Sequence, residues 1–171
     1  MGQDKALLPF GGYATLAEYQ YRRLLPLFTS VYLSAKEDKF PFQAPVILDE
    51  TDVFAPTVGL MAAFRAIGGD FFVLSVDTPF VDDSVFSKLF EAYRRCDGDV
   101  YVAADADGSH PLCALYTRRA ETALEAAIRR GEHRLHALLK RVKTVTIPFK
   151  DPTLFANLNT PREYEAAVKG R

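Results

Sequence analysis

The run Phe71-Phe72-Val73-Leu74-Ser75-Val76 constrains this chain more than any other feature, because it is apolar on both of its alternating faces. A strand with one face in water alternates apolar with polar, whereas a strand covered on both faces does not. The run predicts a buried strand over residues 71–76, placed mid-sheet. Similar short β-branched and aromatic runs recur at residues 31–34, 46–48, 100–104, 112–116 and 142–148. Between them lie helix-length amphipathic stretches at 15–25, 59–67, 84–95, 118–130, 135–141 and 161–169. That alternation predicts α/β layering around a largely parallel sheet.

Composition then narrows the function classes. The chain has 171 residues, close to roughly 150 for one domain, so a single domain over 1–171 is expected. Hydrophobic residues make up 49% and charged residues 25%, enough apolar content for a real core and too much for a disordered chain. Lys plus Arg (21) nearly cancels Asp plus Glu (22), so no global field draws the chain to nucleic acid or to an anionic membrane. Apolar runs fall far short of the roughly 20 residues of a spanning helix, and no basic-then-apolar leader opens the sequence; the expected location is cytoplasmic. The two cysteines, Cys96 and Cys113, lack CxxC spacing and read as small reduced packing residues.

Five segments could carry chemistry. Met1-Gly2-Gln3-Asp4-Lys5 places a glycine-preceded lysine before an apolar run; Lys5 suits a phosphate chain, or is simply solvated. Asp77 follows the 71–76 strand and precedes Thr78-Pro79-Phe80, the crevice beyond the strand ends where open α/β sheets place ligands. Its structural alternative is a turn cap before the next helix, but Asp82 and Asp83 stand closer to that helix. One such aspartate can anchor a magnesium–nucleotide complex, because magnesium keeps its remaining positions for water and phosphate. The acidic loop Asp49-Glu50-Thr51-Asp52 lies between a strand and a Pro/Gly-marked helix start, suited to substrate contacts or merely solvated. His110 stands before an apolar strand at a sheet edge with no neighbouring nucleophile, while His133 and His136 can share a helix face but lack a third metal-type ligand. Finally, Asn157-Leu158-Asn159 leads into Thr160-Pro161-Arg162-Glu163, whose hydroxyl cap, N1 proline and following glutamate predict a helix start.

Taken in order, Met1-Gly2-Gln3-Asp4-Lys5 with Leu7-Leu8-Pro9, Gly59 after Pro56, Ser75-Val76-Asp77-Thr78-Pro79-Phe80, His110-Pro111-Leu112 and Asn157-Leu158-Asn159-Thr160-Pro161 resemble the molybdenum cofactor guanylyltransferase family, MobA-like, across essentially the whole chain. The resemblance implies a Rossmann-like three-layer α/β/α sandwich of nucleotidyltransferase type. It implies magnesium GTP and molybdopterin as substrates, the guanine dinucleotide cofactor and pyrophosphate as products, and molybdoenzymes or their chaperones as further partners. By motif it assigns the nucleotide to Lys5, Ser34, Asp52 and Asp77, with Asp77 the magnesium ligand, and Lys5 and Asp77 the catalytic pair. Asn157, Asn159 and His110 would meet the pterin substrate, and so would Arg134, as a phosphate contact in Gly131-Glu132-His133-Arg134, a stretch similar to one near the pterin side. Relatives of this kind carry an apolar strand and a Leu-Ala-Gly-Gly-x-Ser-x-Arg loop before the Met-Gly-x-Asp-Lys segment, so the resemblance implies either a reading frame that extends upstream of Met1, the favoured expectation, or a truncated form with impaired nucleotide binding. A cytidylyltransferase or other small nucleotidyltransferase, and a non-catalytic nucleotide or cofactor carrier, are the alternatives.

Overall fold

The structure, a computed structural model, describes residues 4–49, 51, 53–158 and 164. Two parallel strands, β1 (Leu33–Ala35) and β2 (Val46–Leu48), form one small sheet. The other sheet has the order β3-β5-β4-β6, built from β3 (Phe71–Leu74), β4 (Val100–Asp105), β5 (Gly108–Tyr116) and β6 (Thr144–Pro148). β5 is antiparallel to both of its neighbours and β4 is parallel to β6, so the sheet is mixed, with β3, β4 and β6 running the same way.

Helices cover both faces. On one side α2 (Pro56–Ile67), α4 (Glu121–Arg129) and α5 (Leu135–Leu139) bury Leu60, Phe64, Leu124 and Leu138 against Val100, Val102, Ala114 and Tyr116. On the other, α3 (Asp83–Arg95) buries Val85, Phe86 and Leu89 against Tyr101, Ala103, Cys113 and Leu115. Neighbouring residues of β4 and β5 therefore feed opposite cores, as a period of two requires. α1 (Leu16–Leu24) begins at Thr15, whose hydroxyl accepts from the Glu18 amide at 3.0 Å. Asp82 caps α3 by accepting from the Ser84 amide at 2.9 Å. This frees Asp77 from the capping role that competed for it in the sequence.

Several sequence expectations are corrected. β3 lies at the end of its sheet, not in the middle. Its apolar character on both faces has a different origin: Phe71 meets Phe64 of α2 at a centroid distance of 4.7 Å, and Phe72 meets Phe86 of α3 at 5.0 Å. Helices above and below make a strand apolar on both faces; neighbours along its edges do not. β3 also stops at Leu74, ahead of the turn at Val76-Asp77. His110 lies within β5, a strand flanked on both sides, and not ahead of a strand at an edge. The helix expected from residue 59 starts at Pro56, the fixed φ of proline suiting the first helical position. The stretch 118–130 opens as a 3-10 turn, Arg118–Ala120, before α4. Cys113 is buried as expected, but Cys96 is exposed beyond the end of α3. The helix expected over 161–169 lies outside the described residues except for Tyr164, which packs beside Phe10.

Candidate active site

The turn after β3 is held from three directions. The Ser75 amide donates to the Leu112 carbonyl of β5 at 2.8 Å, extending the strand pairing by one residue. The Thr78 hydroxyl donates to the Ser75 carbonyl at 2.8 Å. Gln20 of α1, buried, donates from Nε2 to the carbonyls of Ser75 and Val76 at 3.4 and 3.2 Å. Within this frame the Ser75 hydroxyl donates to Oδ1 of Asp77 at 2.5 Å, and the Asp77 carbonyl accepts from the Leu158 amide at 2.9 Å. Oδ2 of Asp77 accepts no hydrogen bond among the described residues. A fixed carboxylate with one oxygen left open is the arrangement a cation or a donor ligand needs.

Asp77 opens into a cleft of about 750 Å³, the size of a small-molecule site. Four of the residues singled out by sequence come together there: Asp77, His110, Arg134 and Asn157. His110 stacks on Phe155 at a centroid distance of 4.2 Å, and its Nε2 lies 3.0 Å from Oδ2 of Asp105. Burial acts to raise the pKa of Asp105, but the Asp107 amide, His110 and the Gly108 amide outweigh it and hold the carboxyl below its ordinary value. His133 and His136 also line the cleft, so all three histidines of the chain converge there, with Lys140 beside them.

The remaining assignments fall elsewhere. Ser34 is exposed on β1, next to Gly59 in the second turn of α2. A Cβ on Gly59 would stand 3.0 Å from the Ser34 Oγ and 3.5 Å from Oδ1 of Asp49. That Asp49 oxygen is shielded from solvent and has no hydrogen-bond partner among the described residues. Asp49 was read only as part of an acidic loop; the signal that finds it is its place directly after β2, at a strand end, as Asp77 lies three residues past the end of β3. Lys5 is half-buried in a 3-10 turn, Lys5–Leu7, and is not among the residues lining the cleft. Asp52 and Asn159 lie outside the described residues. The first turns of α2 join the two locations: Pro56 lines the cleft and Gly59 borders Ser34 and Asp49.

Among the described residues, no group of three His, Cys, Asp or Glu side chains could hold a metal. A divalent ion at Asp77 must therefore bring phosphate and water oxygens as its other ligands. The open carboxylate oxygen of Asp77, in a cleft that Asn157 also lines, fits a hard ion of that kind. Among the described residues, no helix is long and apolar enough to cross a membrane.

A three-layer α/β fold with a carboxylate beyond a strand end, lining a cleft shared with Arg134 and Lys140, defines a Rossmann-like protein with a ligand crevice. The family model of the MobA-like NTP transferase domain matches residues 1–145. The chain belongs to that family and is a nucleotidyltransferase. It is 35% identical over 172 residues to the molybdenum cofactor guanylyltransferase of Helicobacter pylori, covering 97% of this chain and 82% of the relative. With the enzyme of that name from Campylobacter jejuni it shares 32% identity over 168 residues, covering 96% and 87%. Among solved structures, molybdopterin-guanine dinucleotide biosynthesis protein A from Archaeoglobus fulgidus superposes with a TM-score of 0.84 at 25% identity, covering 98% of this chain and 90% of that one. The 2-C-methyl-D-erythritol 4-phosphate cytidylyltransferase of Thermus thermophilus reaches 0.74 at 14% identity, covering 96% and 92%, a likeness of fold.

Proposed function

We propose that this protein transfers GMP from GTP to the molybdopterin form of molybdenum cofactor, giving the guanine dinucleotide cofactor and pyrophosphate. The observation that carries the reading is Asp77: a carboxylate braced by Ser75, its backbone tied to Leu158, with one oxygen open to a cleft that also exposes Arg134 and Lys140. A phosphate oxygen of molybdopterin forms a bond to the α-phosphorus of GTP, the bond from that phosphorus to the bridging oxygen breaks, and pyrophosphate leaves with the electron pair. No covalent enzyme intermediate is needed, so the protein contributes position and charge.

Asp77 is the residue to hold magnesium with the triphosphate, and magnesium when bound there neutralises charge on the phosphates. Ser34 on β1 and Asp49 just past β2 are assigned to the nucleoside side, together with Asp52 from the acidic loop. Lys5 is assigned to the nucleotide phosphates on the strength of the Met-Gly-x-Asp-Lys motif. His110, Arg134, Asn157 and Asn159 are assigned to the pterin substrate. The cytoplasm is its proposed location, with molybdoenzymes or their chaperones receiving the product.

The test is pyrophosphate release coupled to molybdopterin, run with GTP, CTP and ATP in turn. Release with GTP alone, abolished in Asp77→Ala with the fold intact by circular dichroism, is the expected result. Release with CTP in preference to GTP moves the protein to another member of its class. Tight nucleotide binding without release makes it a carrier.

A further inference from the structure

The acceptor side of the cleft contains a device that the motif reading does not reach. His133 precedes α5, and its Nδ1 lies 2.7 Å from the hydroxyl oxygen of Thr57, in the first turn of α2, 76 residues away in sequence. Thr57 is fully buried, at 0% exposure, so its hydroxyl proton must go to a protein acceptor. Among the described residues the partner of that hydroxyl is His133. With the hydroxyl donating to Nδ1, the neutral imidazole carries its proton on Nε2, and the ring is locked as a hydrogen-bond donor at that nitrogen. His136 anchors the same helix to β5 by donating from Nε2 to the Ser109 carbonyl at 3.1 Å.

The charges around this device are unbalanced. Elsewhere cations find acids: Arg118 with Glu121, Arg119 with Asp97 and Asp99, Lys143 with Asp97. Glu132, beside His133 in sequence, turns to Arg141 at 2.9 Å and Arg130 at 3.7 Å. Arg134 and Lys140 both line the cleft and make no ion pair among the described residues. The acid that lines the cleft with them, Asp77, lies on the β3 turn and is assigned above to the metal–nucleotide complex. Two uncompensated cations and a fixed N–H donor on one wall call for an anion.

We propose that Lys140 and the Nε2 of His133 join Arg134, already assigned to the pterin substrate, to form the seat of the acceptor's phosphate, and that Thr57 is a positioning residue that sets the His133 ring. The phosphate identity rests on the function proposed above. Thr57 sits between Pro56, which lines the cleft, and Gly59, which borders Ser34 and Asp49, so the start of α2 fixes the two sides of the reaction relative to each other.

The experiment has two arms. The first titrates inorganic phosphate into the full chain and follows imidazole resonances by NMR, where three histidines give a resolvable spectrum. His133 shifts saturably, and the apparent affinity falls about tenfold or more in Lys140→Ala and in Arg134→Ala. Thr57→Val, a volume-matched change, weakens binding in the same direction, and Thr57→Ser restores it. Phosphate that moves His133 no more than chloride at equal ionic strength overturns the proposal. The second arm measures transfer kinetics: the KM for molybdopterin rises about tenfold in Lys140→Ala and Thr57→Val while the KM for GTP stays put. A rise in the KM for GTP instead assigns the wall to the nucleotide and overturns the proposal, leaving the proposed function standing. Should the wild-type chain transfer no GMP, that function fails, and the phosphate titration still decides the wall.

Discussion

Gln20→Leu tests whether the Asp77 turn is held from α1. The buried Gln20 amide donates to two carbonyls of the turn at 3.4 and 3.2 Å, and its oxygen accepts from Nε of Arg23 at 2.6 Å. Leucine keeps the volume and removes all three. The two long neutral bonds contribute about 1 kcal/mol together, and the charge-assisted bond from Arg23 about 1.5–3 kcal/mol. Added apolar burial returns about 1 kcal/mol, leaving a loss of about 1.5–3 kcal/mol. For a chain of this size that corresponds to a fall in melting temperature of about 3–12 °C, read by calorimetry. Activity should fall further than stability explains, because Ser75 and Asp77 lose the support that fixes their geometry; kcat measured well below the new melting point separates the two effects. A melting point within about 1 °C of wild type, with kcat unchanged, would refute the reasoning.

Three other outcomes follow from particular residues. Burial pushes the Cys113 thiol up to about 12 while Cys96 is exposed, so a thiol reagent at pH 8 should label Cys96 rapidly and Cys113 only on unfolding, as mass spectrometry of the labelled chain would read. Asp105 is held below the ordinary carboxylate value, so its contribution to stability is fully present above the unfolded pKa of about 3.9 and is lost as pH falls through the folded value. Urea titrations from pH 5 downward should show a smaller acid loss in Asp105→Asn than in wild type. Gly98→Ala puts a Cβ 2.6 Å from Cγ2 of Val145 and 3.1 Å from Cζ of Tyr101, whose hydroxyl accepts from the Gly98 amide at 2.8 Å. Overpacking of that kind should cost about 1–3 kcal/mol in denaturant titration.

The local signals in the sequence carried well. Periodicity located six strands and the described helices to within a few residues, and Asp82 was legible as a cap from its distance to α3. Asp77 was legible because strand-end position is itself a chemical address. What periodicity reports is burial of faces, which is why the Phe71–Leu74 run announced its helical covers but not its place at the end of the sheet. Contacts across long separations left no such trace. Nothing in the sequence singles out Gln20 or Thr57, and His133 reads as solvated or interfacial, until the fold brings them against the turn and the cleft. Asp49 was hidden differently, among the acids that follow it in one loop. The basic wall was half legible: Arg134 came from motif likeness, whereas Lys140 gains meaning only from the absence of a counter-ion among the described residues around the cleft.

The most direct measurement is diffraction at an anomalous wavelength from crystals of the chain grown with GTP and manganese in place of magnesium. The account predicts a metal peak within about 2.2 Å of a carboxylate oxygen of Asp77, sharing the ion with triphosphate oxygens. A peak held by the triphosphate with Asp77 remote from it, or nucleotide bound away from the β3 turn, would contradict it.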